Sequence, residues 1–196
     1  MRNEFEGAGR WGIPVIKKKP LVDGELKMIA SSNTRRNDSK ENRRCGVYFA
    51  VDDYRFSAIY RNPEKSFEKY SQYAFLLTPD YSVYADMQPW RQLESVAHSR
   101  WCGANWQSKG LTVYAMMSWS TPQSYSFCFD AVERHATVAV GLVGCKKDNR
   151  LNFLRGYHAM LERVEPESII CIGNPFPEMD GNLIVIEHHE SRGRAL

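Results

Sequence analysis

No stretch of this chain approaches the roughly 18 consecutive apolar residues that cross a bilayer, and its start, Met1-Arg2-Asn3-Glu4-Phe5-Glu6, has no apolar core of the signal-peptide type. A membrane partner is therefore not expected, and the expected address is the cytoplasm. Cysteine is sparse: Cys45, Cys102, Cys128, Cys145 and Cys171 are five in number, with no C-x-x-C pair among them. An odd, scattered set argues against a disulfide framework and for small buried thiols. Cys128, Cys145, Cys171 and His188 lack the spacing of a zinc site, so no metal ligand is assigned. There is no glycine-rich phosphate loop of the Walker or dinucleotide type, and Ser118 and Ser120 have no motif-placed histidine to activate them. Internal repeats are absent as well. Neither sign of charge dominates: a net charge of +3 permits a nucleic-acid partner without requiring one.

What is present is an ordinary globular composition, 43% hydrophobic and 25% charged, in 196 residues, enough for one sizeable core. The most informative stretch runs from Ala74 to Ser120. An apolar run, Ala74-Phe75-Leu76-Leu77, meets the corner Thr78-Pro79-Asp80-Tyr81-Ser82; a helix follows from about Pro89 to Lys109; a second apolar run, Leu111 to Met117, ends in Ser118-Trp119-Ser120. Continuous rather than alternating apolar runs are those of parallel strands covered on both faces. Trp90, Leu93, Ala97, Trp101 and Ala104 fall at the three- and four-residue steps of an inward-facing helix stripe.

The same alternation extends in both directions. Gly46 to Val51 reads as a strand stopping at Asp52-Asp53, with Asp53 placed to cap the turn Tyr54 to Tyr60. Thr137 to Val143 stops at Gly144-Cys145-Lys146-Lys147, read as an exposed turn, with a pair of lysines meeting a phosphate as the alternative. Ser168 to Ile172 stops at Gly173-Asn174-Pro175, and Leu183 to Ile186 ends in Glu187-His188-His189. Two weak strands precede these, Ile13 to Ile16 and Leu26 to Ala30. The expected fold is α/β with a mostly parallel sheet forming a small or irregular TIM-like (β/α) barrel; an open doubly wound sheet is the alternative. One domain is expected: an irregular segment, residues 1–45, packed on an α/β body, residues 46–190.

In parallel architectures ligands collect beyond the carboxyl ends of the strands. That rule selects Asp52, Asp53 and Asp80 as candidate catalytic carboxylates and Tyr81, Ser118, Trp119, Asn174 and Arg91 as candidate substrate contacts. Paired carboxylates whose environments split their pKa values suit acid–base work at a glycosidic bond, and the same pair could hold Mg²⁺ for phosphoryl chemistry; no cofactor is otherwise indicated. Between Asn33 and Arg44, Arg35, Arg36, Arg43 and Arg44 form a basic loop, read first as a solvated connector and second as a phosphate-contacting arm.

The series Trp11-Gly12-Ile13-Pro14, Val51-Asp52-Asp53-Tyr54, Asn62-Pro63-Glu64, Thr78-Pro79-Asp80-Tyr81-Ser82, Met117-Ser118-Trp119-Ser120 and Val138-Ala139-Val140 resembles an uncharacterised domain family of bacteriophages and bacterial mobile elements. The resemblance spans roughly residues 11 to 174 and implies a phage or mobile-element origin, hence a bacterial host cytoplasm; it carries no established reaction. A fainter likeness to barrel-type base-exchange enzymes points to a glycosidic bond, although their cysteine-rich zinc motif is missing. Two functions are thus expected to compete. One is an enzyme acting on a nucleotide or nucleic acid through an acidic strand-end pocket; the other is a non-catalytic protein docking on nucleic acid or a host protein.

Overall fold

The computed structural model describes residues 4–143, 145 and 147–188. In chain order it contains β1 (Gly7–Ala8), β2 (Ile13–Pro14), β3 (Met28–Ala30), β4 (Gly46–Tyr48), α1 (Ala58–Arg61), α2 (Pro63–Tyr70), β5 (Phe75–Leu77), α3 (Pro89–Ser108), β6 (Val113–Met117), α4 (Tyr125–Cys128), β7 (Thr137–Gly141), α5 (Arg150–Val164), β8 (Ser168–Ile172) and β9 (Leu183–Ile186). Strands β1 and β2 pair only with each other, as an antiparallel hairpin. The other seven form one sheet in the order β3-β4-β5-β6-β7-β8-β9, with every neighbouring pair parallel.

Strand order decides between the two expected architectures. A doubly wound sheet reverses direction at a switch point; here each strand is laid beside its predecessor on the same side, so the sheet curls into a nearly closed barrel. Side chains alternate accordingly. Ala30, Tyr48, Phe75, Leu77, Tyr114, Met116, Ala139, Ile170, Ile172 and Ile186 form a single interior cluster. Their strand neighbours, among them Val47, Leu76, Val113, Val138, Val140 and Ile169, pack outward against the helices. Both faces of β4 to β8 are therefore buried, which is why these strands read as unbroken apolar runs.

The segment before β4 is part of this body. Strand β3 belongs to the main sheet, so residue 45 marks no structural boundary. Leu21, Val22 and Leu26 pack against the interior cluster, and the Tyr114 hydroxyl donates to Pro20 O at 2.8 Å and accepts from Val22 N at 2.9 Å. These contacts plug the barrel at the end where strands begin. Near the other end, the Tyr48 hydroxyl meets His188 Nδ1 at 3.1 Å, joining β4 to the chain just past β9.

Helix α3 departs from its expected stripe. Trp90 is 64% exposed, whereas Arg100 and Asn105 are buried. From Ser99 to Trp106 every residue is buried, because the helix is covered on its outer side by the N-terminal segment: Phe5 packs edge-on against Trp101, and Ile16 lies against Gly103. A helix enclosed on all sides has no amphipathic pattern to read.

The basic loop is anchored. Asp38 is buried and accepts from Tyr73 Oη at 2.5 Å, Asn42 Nδ2 at 2.8 Å, Ser39 N at 2.9 Å and Arg35 N at 3.0 Å. Burial raises its pKa, but these donors outweigh burial and hold the carboxyl well below the usual range. Gln72 Nε2 also donates to Arg35 O and Arg36 O, and Tyr73 stands two residues ahead of β5. The loop is thus tied down at the strand-beginning end of the sheet.

Because the folded-state pKa of Asp38 is depressed, its contribution to stability is full above about pH 5 and is lost as the pH falls below the unfolded value near 4. Asp38→Ala is expected to cost roughly 1–3 kcal/mol at neutral pH and progressively less on acidification. Chemical denaturation of both proteins at several pH values tests this, and a difference constant with pH would refute the account.

Candidate functional site

The carboxyl ends of β4 to β7 and the loops after them surround a cavity of about 470 Å³. Sequence accounts for the curvature of its walls. Pro79 removes a backbone donor and fixes φ immediately after β5, so the chain leaves the sheet and places Asp80 in the cavity. Thr78 secures the corner from behind: its hydroxyl oxygen accepts from Met116 N at 2.9 Å and from Ser99 Oγ at 3.0 Å. At the end of β6, Ser118 Oγ donates to Asp80 Oδ1. At the end of β7, Gly141 leaves room for the other carboxylate oxygen; a Cβ there would lie 2.8 Å from Met116 Cε and 3.7 Å from Asp80 Oδ2.

Burial pushes the Asp80 carboxyl up to about 6, the Ser118 hydroxyl and the Arg100 guanidinium pull it down, and the negative charge of Asp53 pushes it up. Arg100 is 1% exposed. Its Nη1 donates to Met116 O at 2.8 Å and Nη2 to Cys128 O at 3.1 Å, so it ties β6 to α4 beneath the cavity floor. Burial lowers its pKa to about 10, opposed by Cys128 and Asp80, which leaves it a cation at neutral pH. A buried positive charge therefore faces the one carboxyl whose proton binding is strengthened.

The expected site residues separate into three groups. Asp52, Asp80, Tyr81, Ser118 and Trp119 border the cavity. Asp53 stands behind it as the first residue of the turn Asp53–Arg55, whose N-cap position is Asp52; its carboxylate accepts from Ser82 N at 3.1 Å and Ser82 Oγ at 2.9 Å, pinning the loop after β5. A carboxylate with two donors from a neighbouring loop has no reason to turn toward its own turn. Arg91 is exposed in the first turn of α3, its guanidinium 5.9 Å from the Trp90 ring centroid, and Asn174 is exposed beyond β8, away from the lining. Arg35, Arg36, Arg43 and Arg44 are exposed on the anchored loop at the opposite end of the sheet, with Arg36 Nη2 2.8 Å from Glu68 Oε2. Tyr81 borders the cavity only in part, since its ring is turned into the helix-side core against Phe56 and His98.

Residues that were not singled out complete the wall. Phe153 packs against Trp119 with centroids 5.0 Å apart, and Asn149 and Asn152 line the same side. Gln92, buried in α3, donates to Tyr84 O and Met87 O and accepts from Ser120 Oγ at 2.7 Å, linking the loops after β5 and β6. The four-residue steps Val96, Arg100 and Ala104 were the available signal for Arg100. Gly144 and Lys146 lie outside the described residues, so the phosphate reading of that stop does too. Among the described residues no three His, Cys, Asp or Glu side chains form a group that could hold a metal ion, and no helix is long and apolar enough to cross a membrane.

Two outcomes follow. Folded Asp80 holds its proton more tightly than the unfolded chain does, so the stability it contributes is full below about pH 4 and is lost as the pH rises through about 6. Asp80→Asn is expected to gain on wild type by on the order of 1–3 kcal/mol between pH 4 and pH 7 in denaturant titrations; a flat difference would mean an unshifted carboxyl. At Gly156 a Cβ would meet Trp119 Cδ1 and Nε1 at 2.1 Å. Gly156→Ala should therefore displace the Trp119 ring, cost about 1–3 kcal/mol and shift the tryptophan emission, and an unchanged spectrum would count against the contact.

Residues 5–190 match the model of a domain of unknown function, DUF4417. The chain is 33% identical over 176 residues to the "Gene 1 protein" of Mycobacterium phage L5, covering 88% of this chain and 76% of that one. It is 31% identical over 175 residues to the "Gene 1 protein" of Mycobacterium phage D29, covering 88% of this chain and 64% of that one. No solved structure matches. The sequence resemblance to an uncharacterised phage family is thereby made specific: the chain belongs to the DUF4417 family and is related to these mycobacteriophage proteins.

Proposed function

We propose that this chain is an enzyme that cleaves or exchanges a base at the N-glycosidic bond of a nucleotide or nucleic acid, working in the cytoplasm of a bacterial host. The observation that carries the reading is Asp80: a carboxyl raised to about 6 inside a cavity of about 470 Å³. That volume lies in the range of small-molecule sites. Trp119 and Phe153 offer an aromatic wall on which a base can stack, and Asn149 and Asn152 offer amides for its edge.

The chemistry divides between two carboxyl groups in unlike surroundings, a pattern shared by enzymes that act on glycosidic bonds. Protonated Asp80 donates to the departing base as the C–N bond breaks and the bonding pair leaves with the base. Asp52 is exposed at the neighbouring strand end, where its carboxylate stabilises the oxocarbenium centre left on the sugar. Water or an incoming base then adds to that carbon and returns a proton to Asp80. Ser118 holds one Asp80 oxygen and leaves the other for the proton.

Chromatographic assay of base release from nucleosides, nucleotides and oligonucleotides tests the reading. Wild type is expected to release a base with kcat/KM falling above about pH 6, and Asp80→Asn to lose about 10²–10⁴-fold. Base release unaffected by that substitution, or none from any of these substrates, would overturn it.

A further inference from the structure

The cavity and its mouth differ in charge. Among the described lining residues there are two carboxylates, Asp52 and Asp80, and no lysine, arginine or histidine. A phosphate drawn into that space would be desolvated beside like charge, with no cation among the described lining residues to meet it. A base and its sugar are neutral and meet aromatic faces, hydroxyls and amides.

Cations stand at the rim. Arg55 lies 5.6 Å from the centroid of the Tyr54 ring, and its Nε donates to Tyr54 Oη at 3.1 Å and stands 3.9 Å from Asp52 Oδ2 at the cavity edge; Arg91 lies 5.9 Å from the centroid of the Trp90 ring. Tyr54 is 72% exposed and Trp90 64%. Both pairs follow strand ends on the cavity side of the sheet: Tyr54 comes two residues after Asp52 of the lining, and Arg91 sits next to Gln92, which is bonded to Tyr84 and Ser120 of the lining. Exposed rings beside guanidinium groups, next to a pocket that admits a base, are the components of a single-strand binding surface, in which bases stack on rings and cations follow the backbone. The basic loop cannot serve this cavity, because Asp38 and Gln72 tether it at the other end of the barrel.

We infer that the cavity accepts the base and sugar of one nucleotide in a single-stranded nucleic acid, while the Arg55–Tyr54 and Arg91–Trp90 pairs hold the flanking strand outside it. This deepens the glycosidic reading and rests on it for the fate of the inserted base. It also sets substrate class: a base presented from a strand is favoured over a free nucleotide, whose phosphate would meet two carboxylates and no cation among the described lining residues.

Fluorescence anisotropy with a labelled single-stranded oligonucleotide of mixed sequence, its duplex form as competitor, and calorimetry with a nucleoside and its 5′-monophosphate test this without requiring turnover. The double variant Arg55→Gln, Arg91→Gln alters only exposed side chains; circular dichroism checks its fold. It is expected to weaken single-strand binding by about tenfold or more and to reduce the salt dependence by roughly two phosphate contacts. Arg35→Gln, Arg36→Gln is expected to bind within about twofold of wild type, and the nucleoside to bind more tightly than its monophosphate. The inference is overturned by undetectable single-strand binding, by binding lost in the Arg35/Arg36 variant but kept in the rim variant, by a duplex that competes equally, or by a monophosphate that binds more tightly than its nucleoside. Rim-dependent strand binding without base release would end the glycosidic reading and leave the docking surface; base release from free nucleosides without strand binding would do the reverse.

Discussion

The arrangement of this molecule follows from the constant sense in which its strands are added. A parallel strand can be reached only by a crossover, and the crossover has a preferred hand. When each new strand is placed beside the last without reversal, from β3 to β9, the helices fall on one side and the sheet must curl toward the other. Curling brings the carboxyl ends of β4 to β7 around one cavity, so Asp52, Asp80, Ser118 and Gly141, far apart in sequence, line a common space. An open sheet with a switch point would have dispersed them along a crevice.

That convergence concentrates charge, and the interior is organised to manage it. Asp80 is raised by burial, Arg100 lies buried beneath it as a counter-charge, and Asp53 is restrained by Ser82 at a distance where it still opposes ionisation of Asp80. The same side chains hold the architecture. Arg100 joins β6 to α4, Asp53 fixes the loop after β5, and Gln92 ties that loop to the one after β6. Electrostatics and loop geometry cannot be altered separately here, since the groups that set the first are the fasteners of the second.

Much of this was legible in the chain. The unbroken apolar runs identified parallel strands, their count and alternation with helices pointed to a barrel, and the stops after them named Asp52, Asp80, Ser118 and Trp119, because strand ends are a local property of the sequence. What was illegible depends on contacts between distant segments. Trp90 looked inward and Arg100 outward only while α3 was taken to have one buried face; the N-terminal segment that covers its other side appears in no local pattern. Asp53 looked like a cap until the loop carrying Ser82 supplied better donors. The basic loop read first as a solvated connector and second as a phosphate-contacting arm, yet Asp38, one of its own acids, secures it at the far end of the barrel.

Gly141 decides how deep the cavity runs. Its missing side chain is the space between Met116 Cε and Asp80 Oδ2, and the strand carrying it is held on both edges by β6 and β8. A methyl group added there would make the chamber shallower, displacing the flexible end of Met116, which would lie 2.8 Å away. The depth of the chamber is thus set at one backbone position, in the manner of a depth stop.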